Sequence, residues 1–246
     1  MTNRPPGPGR AAPVAAVVFD LFNTLTVPID RSAYHASLVE MARAVGAVPE
    51  TFIQGWTDDW RERFGGAYST TQACVRGACE AIGTPADELA IDEAAQIRVD
   101  FARRTLEPRA DAVATLAKVR SLRLRTALIS DCSPDVPLLW PTTPFAPEIE
   151  EPLFSCDEGL IKPEPALYLK ACERLGVDPD ACVYVGDGGN GELSGAARVG
   201  MRAILIRTPA SSDAYDSERA TWPGEAIDAL SQLPDLITRA GVAAAD

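Results

Sequence analysis

The chain has 246 residues, 46% of them hydrophobic, with 23 basic against 35 acidic side chains and a formal net charge of −12. A chain of this size can bury one large core and a smaller module. The negative charge opposes non-specific attraction to nucleic acid or anionic lipid, and no apolar run approaches the length of a membrane span. We therefore expect a cytoplasmic protein, monomer or homodimer, that acts on a small-molecule substrate and has no nucleic-acid or membrane partner.

The chain begins with a segment, residues 1–13, that is rich in Pro, Gly and Arg and predicts a disordered tail. A short continuous apolar run follows at 14–19, as is typical of a strand buried on both faces of a parallel sheet. Runs of the same character recur at 124–130, 182–187 and 202–207, and each follows an amphipathic helical stretch. This alternation predicts an α/β fold with a doubly wound parallel sheet.

Between the first and second apolar runs, the sequence has helical patterns and no strand-like segment. Tyr34, Leu38, Met41 and Val45, for example, fall on one face of a helix. Glycine and proline clusters punctuate this region at helix-length intervals. We predict an inserted α-helical cap domain of about four helices at residues 28–107, with the α/β core formed by 14–27 and 108–246.

Four chemically distinct side chains fall where ligands bind in such folds, beyond the carboxyl ends of the strands. Asp20, Ser130 and Asp187 each close a predicted strand, and Lys162 lies just before a predicted helix. Asp20 and Asp187 can also be read as simple helix caps, but two strand-end acids together with a lysine favour a catalytic site. The sequence therefore predicts a functional cluster at this edge of the sheet.

The four motifs resemble those of the haloacid dehalogenase (HAD) superfamily. They read DLFNTL from Asp20, LISD around Ser130, IKPEP around Lys162 and GDGGNGE around Asp187. Their order and spacing are those of the family, and the helical insert resembles its C1-type cap. The resemblance implies a hydrolase with a HAD-like Rossmannoid core.

By this resemblance, Asp20 is a nucleophile that forms a covalent intermediate. Mg²⁺ is the implied cofactor, bound by Asp20, the carbonyl of Phe22 and Asp187, with Glu192 orienting a metal-bound water or serving as an ordinary first-turn acid. Such an ion would separate the anionic nucleophile from an anionic phosphoryl group. Lys162 and the hydroxyls of Ser130 and Thr24 would bind the remaining charge.

Phe22 departs from the pattern of the phosphatase members, which carry a carboxylate at this position to protonate the leaving group. Three interpretations follow: a phosphoric monoester hydrolase with a good leaving group or a substitute acid, a 2-haloacid dehalogenase, or a catalytically quiet binding module. Candidate substitutes near the substrate are Asp131 and His35, although His35 also fits a hydrogen-bonded structural residue. We expect a magnesium-dependent phosphatase, because gathered acidic side chains need a cation.

The predicted cap also contains two arginines, Arg61 and Arg63, close to Trp56 and Trp60 in the sequence. Such arginines can bind an anionic substrate. More often they form a solvated helix face with tryptophans packed beneath it, and this second interpretation is the one we favour from the sequence.

Overall fold

The computed structural model describes residues 13–207 and 218–243, so the predicted tail, apart from Pro13, lies outside the described residues. Six strands form one sheet in the order β3-β2-β1-β4-β5-β6, and every neighbouring pair is parallel. The predicted α/β class with a parallel sheet is confirmed. The strands are β1 Ala16–Phe19, β2 Arg125–Ser130, β3 Glu151–Phe154, β4 Cys182–Gly186, β5 Arg202–Ile206 and β6 Glu225–Ile227.

Five helices form the insert that follows β1, and this insert buries a hydrophobic cluster of its own around Met41, Phe52 and Trp56. The prediction of about four helices counts α2 and α3 as one, because only Asp59 separates them. The helices are α1 Arg31–Ala44, α2 Pro49–Asp58, α3 Trp60–Phe64, α4 Thr71–Ala81 and α5 Glu88–Thr105.

The chain leaves and re-enters the sheet region at one place, where Thr26 and Pro108 form an antiparallel bridge. The amide of Val27 donates to the carbonyl of Glu107 at 3.0 Å beside it. This pairing fixes the two ends of the helical insert relative to the end of β1. The exact domain boundaries, 28 and 107, stay a prediction.

The remaining helices pack on the two faces of the sheet. They are α6 Ala112–Ser121, α7 Asp135–Leu139, α8 Ser155–Glu158, α9 Pro165–Leu175, α10 Glu192–Arg198 and α11 Leu233–Ala240. Strand β1 is central and fully buried, with Val17 and Phe19 in one hydrophobic cluster and Ala16 and Val18 in the other. This two-sided burial explains why β1 reads as an unbroken apolar run. In the described part of the chain, no helix has the length and apolarity needed to cross a lipid bilayer.

Candidate active site

Three predicted site residues meet at one edge of the sheet because β1 pairs with both β2 and β4. Asp20 directly follows β1, and its amide still donates to the carbonyl of Val185 on β4 at 2.9 Å. Asp187 directly follows β4. The carboxylates of Asp20, Asp187 and Glu192 are buried, and one oxygen of each lies within 4.8 Å of the other two. Strand pairing thus assembles the acids that the sequence places at separate strand ends.

Lys162 joins two of these acids. Its Nζ donates to Asp20 Oδ1 and to Glu192 Oε2, both at 2.6 Å, and its side chain is only 5% exposed. Burial disfavours the ammonium charge, but the neighbouring Asp20 and Glu192 hold the pKa of Lys162 well above its ordinary value. The site therefore keeps a fixed positive charge beside the nucleophile candidate.

The Asp20 carboxyl group is electrostatically unusual. Burial, and then repulsion from Glu192, raise its pKa to about 7, against the opposing attraction of Lys162. The ordinary value for an aspartate is 3.8. Near neutral pH the carboxyl is therefore poised between its neutral form and the anion that can act as a nucleophile, and additional positive charge would favour the anion.

Glu192 is held rigidly at the start of α10. Its Oε2 also accepts the Tyr184 hydroxyl at 2.7 Å, and its Oε1 accepts the amide of Gly188 at 3.0 Å. A Cβ on Gly186 would overlap Glu192 Oε1, so a side chain at position 186 would displace the Glu192 carboxylate. Both oxygens of Glu192 thus accept hydrogen bonds, and Oε2 also holds Lys162.

Asp187 is surrounded by donors. Its Oδ2 accepts hydrogen bonds from Asn23 Nδ2 at 3.1 Å and from Arg219 Nη2 at 2.8 Å. Its Oδ1 accepts the backbone amide of Gly189 at 3.2 Å. Asn23 adopts a left-handed backbone conformation with φ of 59° and also accepts the amide of Ile29. The loop after β1 is thereby tied to the loop after β4, and no motif in the sequence points to either Asn23 or Arg219.

The donor set fits a divalent cation. Carboxylate oxygens are the ligands that Mg²⁺ prefers. Burial raises the pKa of Asp20, Asp187 and Glu192 alike. The neighbouring cations therefore do not fully compensate the negative charges of these three acids. The residues that would hold the ion are Asp20, Asp187 and the carbonyl of Phe22.

A cavity of about 520 Å³ opens from these acids towards the helical insert. Asp20, Lys162 and Asp187 lie on the side of the sheet. The opposite walls are rich in aromatic and guanidinium groups, namely Phe22, Tyr34, Trp60, Phe64, Phe101, Arg31, Arg63 and Arg98. The cavity therefore combines the charged groups at the sheet with a surface of aromatic rings and guanidinium groups above them.

Two arginines of the insert line this cavity, Arg63 fully buried and Arg98 partly buried. Arg63 is 3% exposed, donates to the carbonyl of Trp56 and stacks 4.1 Å from the centre of its ring. Arg98 pairs with the buried Asp135 of α7 at 3.0 Å, which links the insert to the core. The favoured interpretation of Arg63 as part of a solvated face is therefore wrong, whereas Arg61 is exposed as expected.

The other predicted residues divide into three groups. Asp131 and Phe22 line the cavity, and Asp131 accepts the amide of Lys162 at 3.0 Å. Ser130 and Thr24 are fully buried beneath the cavity surface, and Ser130 Oγ has no hydrogen-bond partner among the described residues. His35 lies on the exposed face of α1 and is not among the cavity residues, so the structure does not place it near a substrate.

A family model described as haloacid dehalogenase-like hydrolase matches residues 14–200, and the chain belongs to this family. The predicted membership is confirmed. Glyceraldehyde 3-phosphate phosphatase of Methanopyrus kandleri is 34% identical over 87 residues, 35% of this chain and 37% of that protein. (S)-2-haloacid dehalogenase 4A of Burkholderia cepacia is 24% identical over 237 residues, 91% of this chain and 95% of that protein.

Solved structures show the same two chemistries among proteins of this fold. The 2-haloacid dehalogenase of Pseudomonas syringae has a TM-score of 0.68 at 27% identity and covers 92% of this chain and 99% of its own. A HAD phosphatase of Thermococcus onnurineus has a TM-score of 0.65 at 19% identity, over 91% of this chain and 98% of its own, a likeness of fold alone. The chain is thus a hydrolase of this family, and similarity alone does not select a substrate.

Proposed function

We propose that this haloacid dehalogenase-like hydrolase is a magnesium-dependent phosphatase that acts through an aspartyl-phosphate on Asp20. The observation that carries the proposal is the convergence of Asp20, Asp187 and Glu192 within 4.8 Å, with Lys162 bound to two of them. Assembling three buried carboxylates is costly, and a divalent cation is the partner that best offsets that cost.

In the first half-reaction, a carboxylate oxygen of Asp20 attacks phosphorus as the bond from phosphorus to the ester oxygen breaks. Lys162 favours the ionised form of Asp20 and neutralises charge on the phosphoryl oxygens. A bound Mg²⁺ would supply Lewis-acid stabilisation of the same oxygens. In the second half-reaction, water hydrolyses the acyl phosphate and regenerates Asp20.

The alcohol that leaves needs a proton unless it is a stable anion, and Phe22 cannot provide one. Asp131 lines the same cavity and is held by the amide of Lys162. Burial raises its pKa, which is the direction that a proton donor requires. We assign the substitute acid to Asp131 and not to His35, because His35 lies outside the cavity.

The cavity favours a substrate with an apolar body. Its volume of about 520 Å³ lies within the range of pockets that hold drug-sized ligands, and a short haloacid would leave most of it unfilled. Phe22, Trp60 and Phe101 offer aromatic surface. We therefore favour a phosphate monoester of an aromatic or branched apolar alcohol over a simple sugar phosphate.

The second candidate is a 2-haloacid dehalogenase. Two observations favour it, namely Phe22, which cannot donate the proton that a halide leaving group does not need, and the near full-length similarity to (S)-2-haloacid dehalogenase 4A. Asp20 would then attack the carbon that carries the halogen, halide would leave without a proton, and water would hydrolyse the resulting ester. Such chemistry gives no role to Asp187 as a metal ligand, which is why we place it second.

A substrate panel separates these candidates. Purified protein is incubated with aryl phosphates, alkyl phosphates, an acyl phosphate and 2-chloropropionate, with MgCl₂ or with EDTA, and released phosphate and halide are measured. We expect magnesium-dependent phosphate release that Asp20→Asn abolishes. Halide release that persists in EDTA would reject the phosphatase in favour of the dehalogenase. A folded protein that is silent on every substrate would favour the quiet binding module.

A further inference from the structure

One cation of the site comes from a part of the chain far from all four sequence motifs. Arg219 lies beyond β5, yet its Nη2 is 2.8 Å from Asp187 Oδ2 and its Nε donates to the Asp187 carbonyl at 3.3 Å. The Arg219 side chain is only 14% exposed. The Arg219 guanidinium thus binds both the carboxylate and the backbone carbonyl of Asp187.

This contact is anchored on both sides. The carboxylate of Glu218 accepts the amides of Leu193 and Ser194 in the first turn of α10, at 2.9 and 3.1 Å. On the other side, Gly188 has a φ of +88°, and a Cβ there would lie 3.2 Å from the Arg219 amide nitrogen. Glycine at 188 therefore lets the backbone of Arg219 pass close to the end of β4.

The charges of the cluster show what Arg219 does electrostatically. Three carboxylates, those of Asp20, Asp187 and Glu192, lie beside the cations Lys162 and Arg219. Removing the positive charge of Arg219 would make the surroundings of Asp187 more negative by one unit. A divalent cation would be attracted by this negative charge, and the guanidinium bound to Asp187 Oδ2 would repel it.

We propose that Arg219 is a built-in cation of the active site that holds Asp187 in position and keeps the affinity for a divalent ion low. The inference rests on the metal site of the proposed function and adds a determinant of its strength. Arg219 acts through Asp187 and is a positioning residue, not a group that touches the reacting atoms. Coupling between the guanidinium and the metal ion is reciprocal, so each weakens the hold of the other on Asp187.

The test measures binding of Mn²⁺ by electron paramagnetic resonance, which reports free Mn²⁺ without any substrate. Arg219→Gln is expected to bind Mn²⁺ roughly tenfold more tightly than the unmodified protein. Arg219→Lys keeps the charge and should retain the weak affinity. Arg207→Gln is the matched control, since Arg207 makes an exposed ion pair with Asp228 just after β5 and the net charge changes equally.

Unchanged or weaker Mn²⁺ binding by Arg219→Gln would overturn the proposal, as would equal tightening by Arg207→Gln or the absence of Mn²⁺ binding in every variant. Circular dichroism checks folding.

If Arg219→Gln does not fold, Glu218→Gln serves instead, because this variant loosens the anchor of Arg219 and leaves the acidic cluster intact. Glu218→Gln should tighten Mn²⁺ binding by a smaller factor, and no tightening would refute the proposal. Tight binding by Arg219→Gln without phosphate release would support this inference and reject the phosphatase, whereas metal-dependent phosphate release with unaltered Mn²⁺ affinity would do the reverse.

Discussion

Replacing Asp20 with asparagine should abolish turnover and, in the absence of metal, stabilise the folded protein at neutral and alkaline pH. The reason is the raised pKa of Asp20, about 7 in the folded protein against an ordinary 3.8. Between these values the folded state binds a proton that the unfolded state has released. Folding stability therefore falls as pH rises through this range.

The size of the effect follows from the same two pKa values. One unit of difference between folded and unfolded states is worth about 1.4 kcal/mol, so ionising Asp20 costs on the order of 4 kcal/mol of stability by pH 8. Asparagine has a similar shape and no charge to bury. Part of this loss has already occurred by pH 5, so the stability of Asp20→Asn relative to the unmodified protein should increase by about 3 kcal/mol between pH 5 and pH 8.

Urea unfolding at pH 5, 6, 7 and 8 in EDTA measures this difference. Asp30→Asn is the control, since Asp30 is an exposed cap of α1 whose pKa is lowered by hydrogen bonds from Ser32 and Ala33. Its carboxyl is ionised in both states above pH 5, so its effect on stability should be constant over the range. A pH-independent difference for Asp20→Asn would refute the argument that burial and Glu192 hold the Asp20 carboxyl near neutrality.

Three further predictions concern other positions of the site. Phe22→Asp should raise kcat/KM for alkyl phosphates by roughly tenfold to a hundredfold with a smaller gain for nitrophenyl phosphate, whose leaving group needs no proton; equal gains would contradict a missing acid. Asp187→Asn should weaken Mn²⁺ binding on the order of tenfold or more, and an unchanged dissociation constant would remove Asp187 from the ligand set. Arg98→Met should lower the free energy of unfolding, measured in urea, by about 3 kcal/mol, because it leaves Asp135 buried without its cation. Adding Asp135→Leu should recover much of this loss, and no recovery would argue against the ion pair.

The sequence predicts β1, β2, β4 and β5, because each is a continuous apolar run that is largely buried. It does not predict β3 and β6, which lie at the two edges of the sheet. The first two residues of β3 are only half-buried and include Pro152, and β6 has three residues of which one is fully buried. Edge strands with so little burial leave no apolar pattern to detect.

The acidic cluster is predictable for a related reason. Asp20 and Asp187 follow recognisable strands, and parallel strands in one sheet bring their carboxyl ends together. Arg63, Arg98 and Arg219 follow no such rule. Their positions depend on how α3 and α5 pack over the sheet and on how the chain returns after β5, and sequence periodicity describes a helix face without stating what that face meets.

Phe22 and Arg219 alter the charge of this site in the same direction. Compared with the phosphatase pattern, position 22 lacks one carboxylate, and the guanidinium at 219 adds one positive charge on Asp187. Both changes reduce the attraction for a divalent ion and increase the share of an anionic substrate's binding that falls to Lys162 and the arginines of the insert. A phosphatase with this site should therefore need a high magnesium concentration, and its substrate affinity should weaken with salt less than that of an exposed site, because Lys162 and Arg63 are buried.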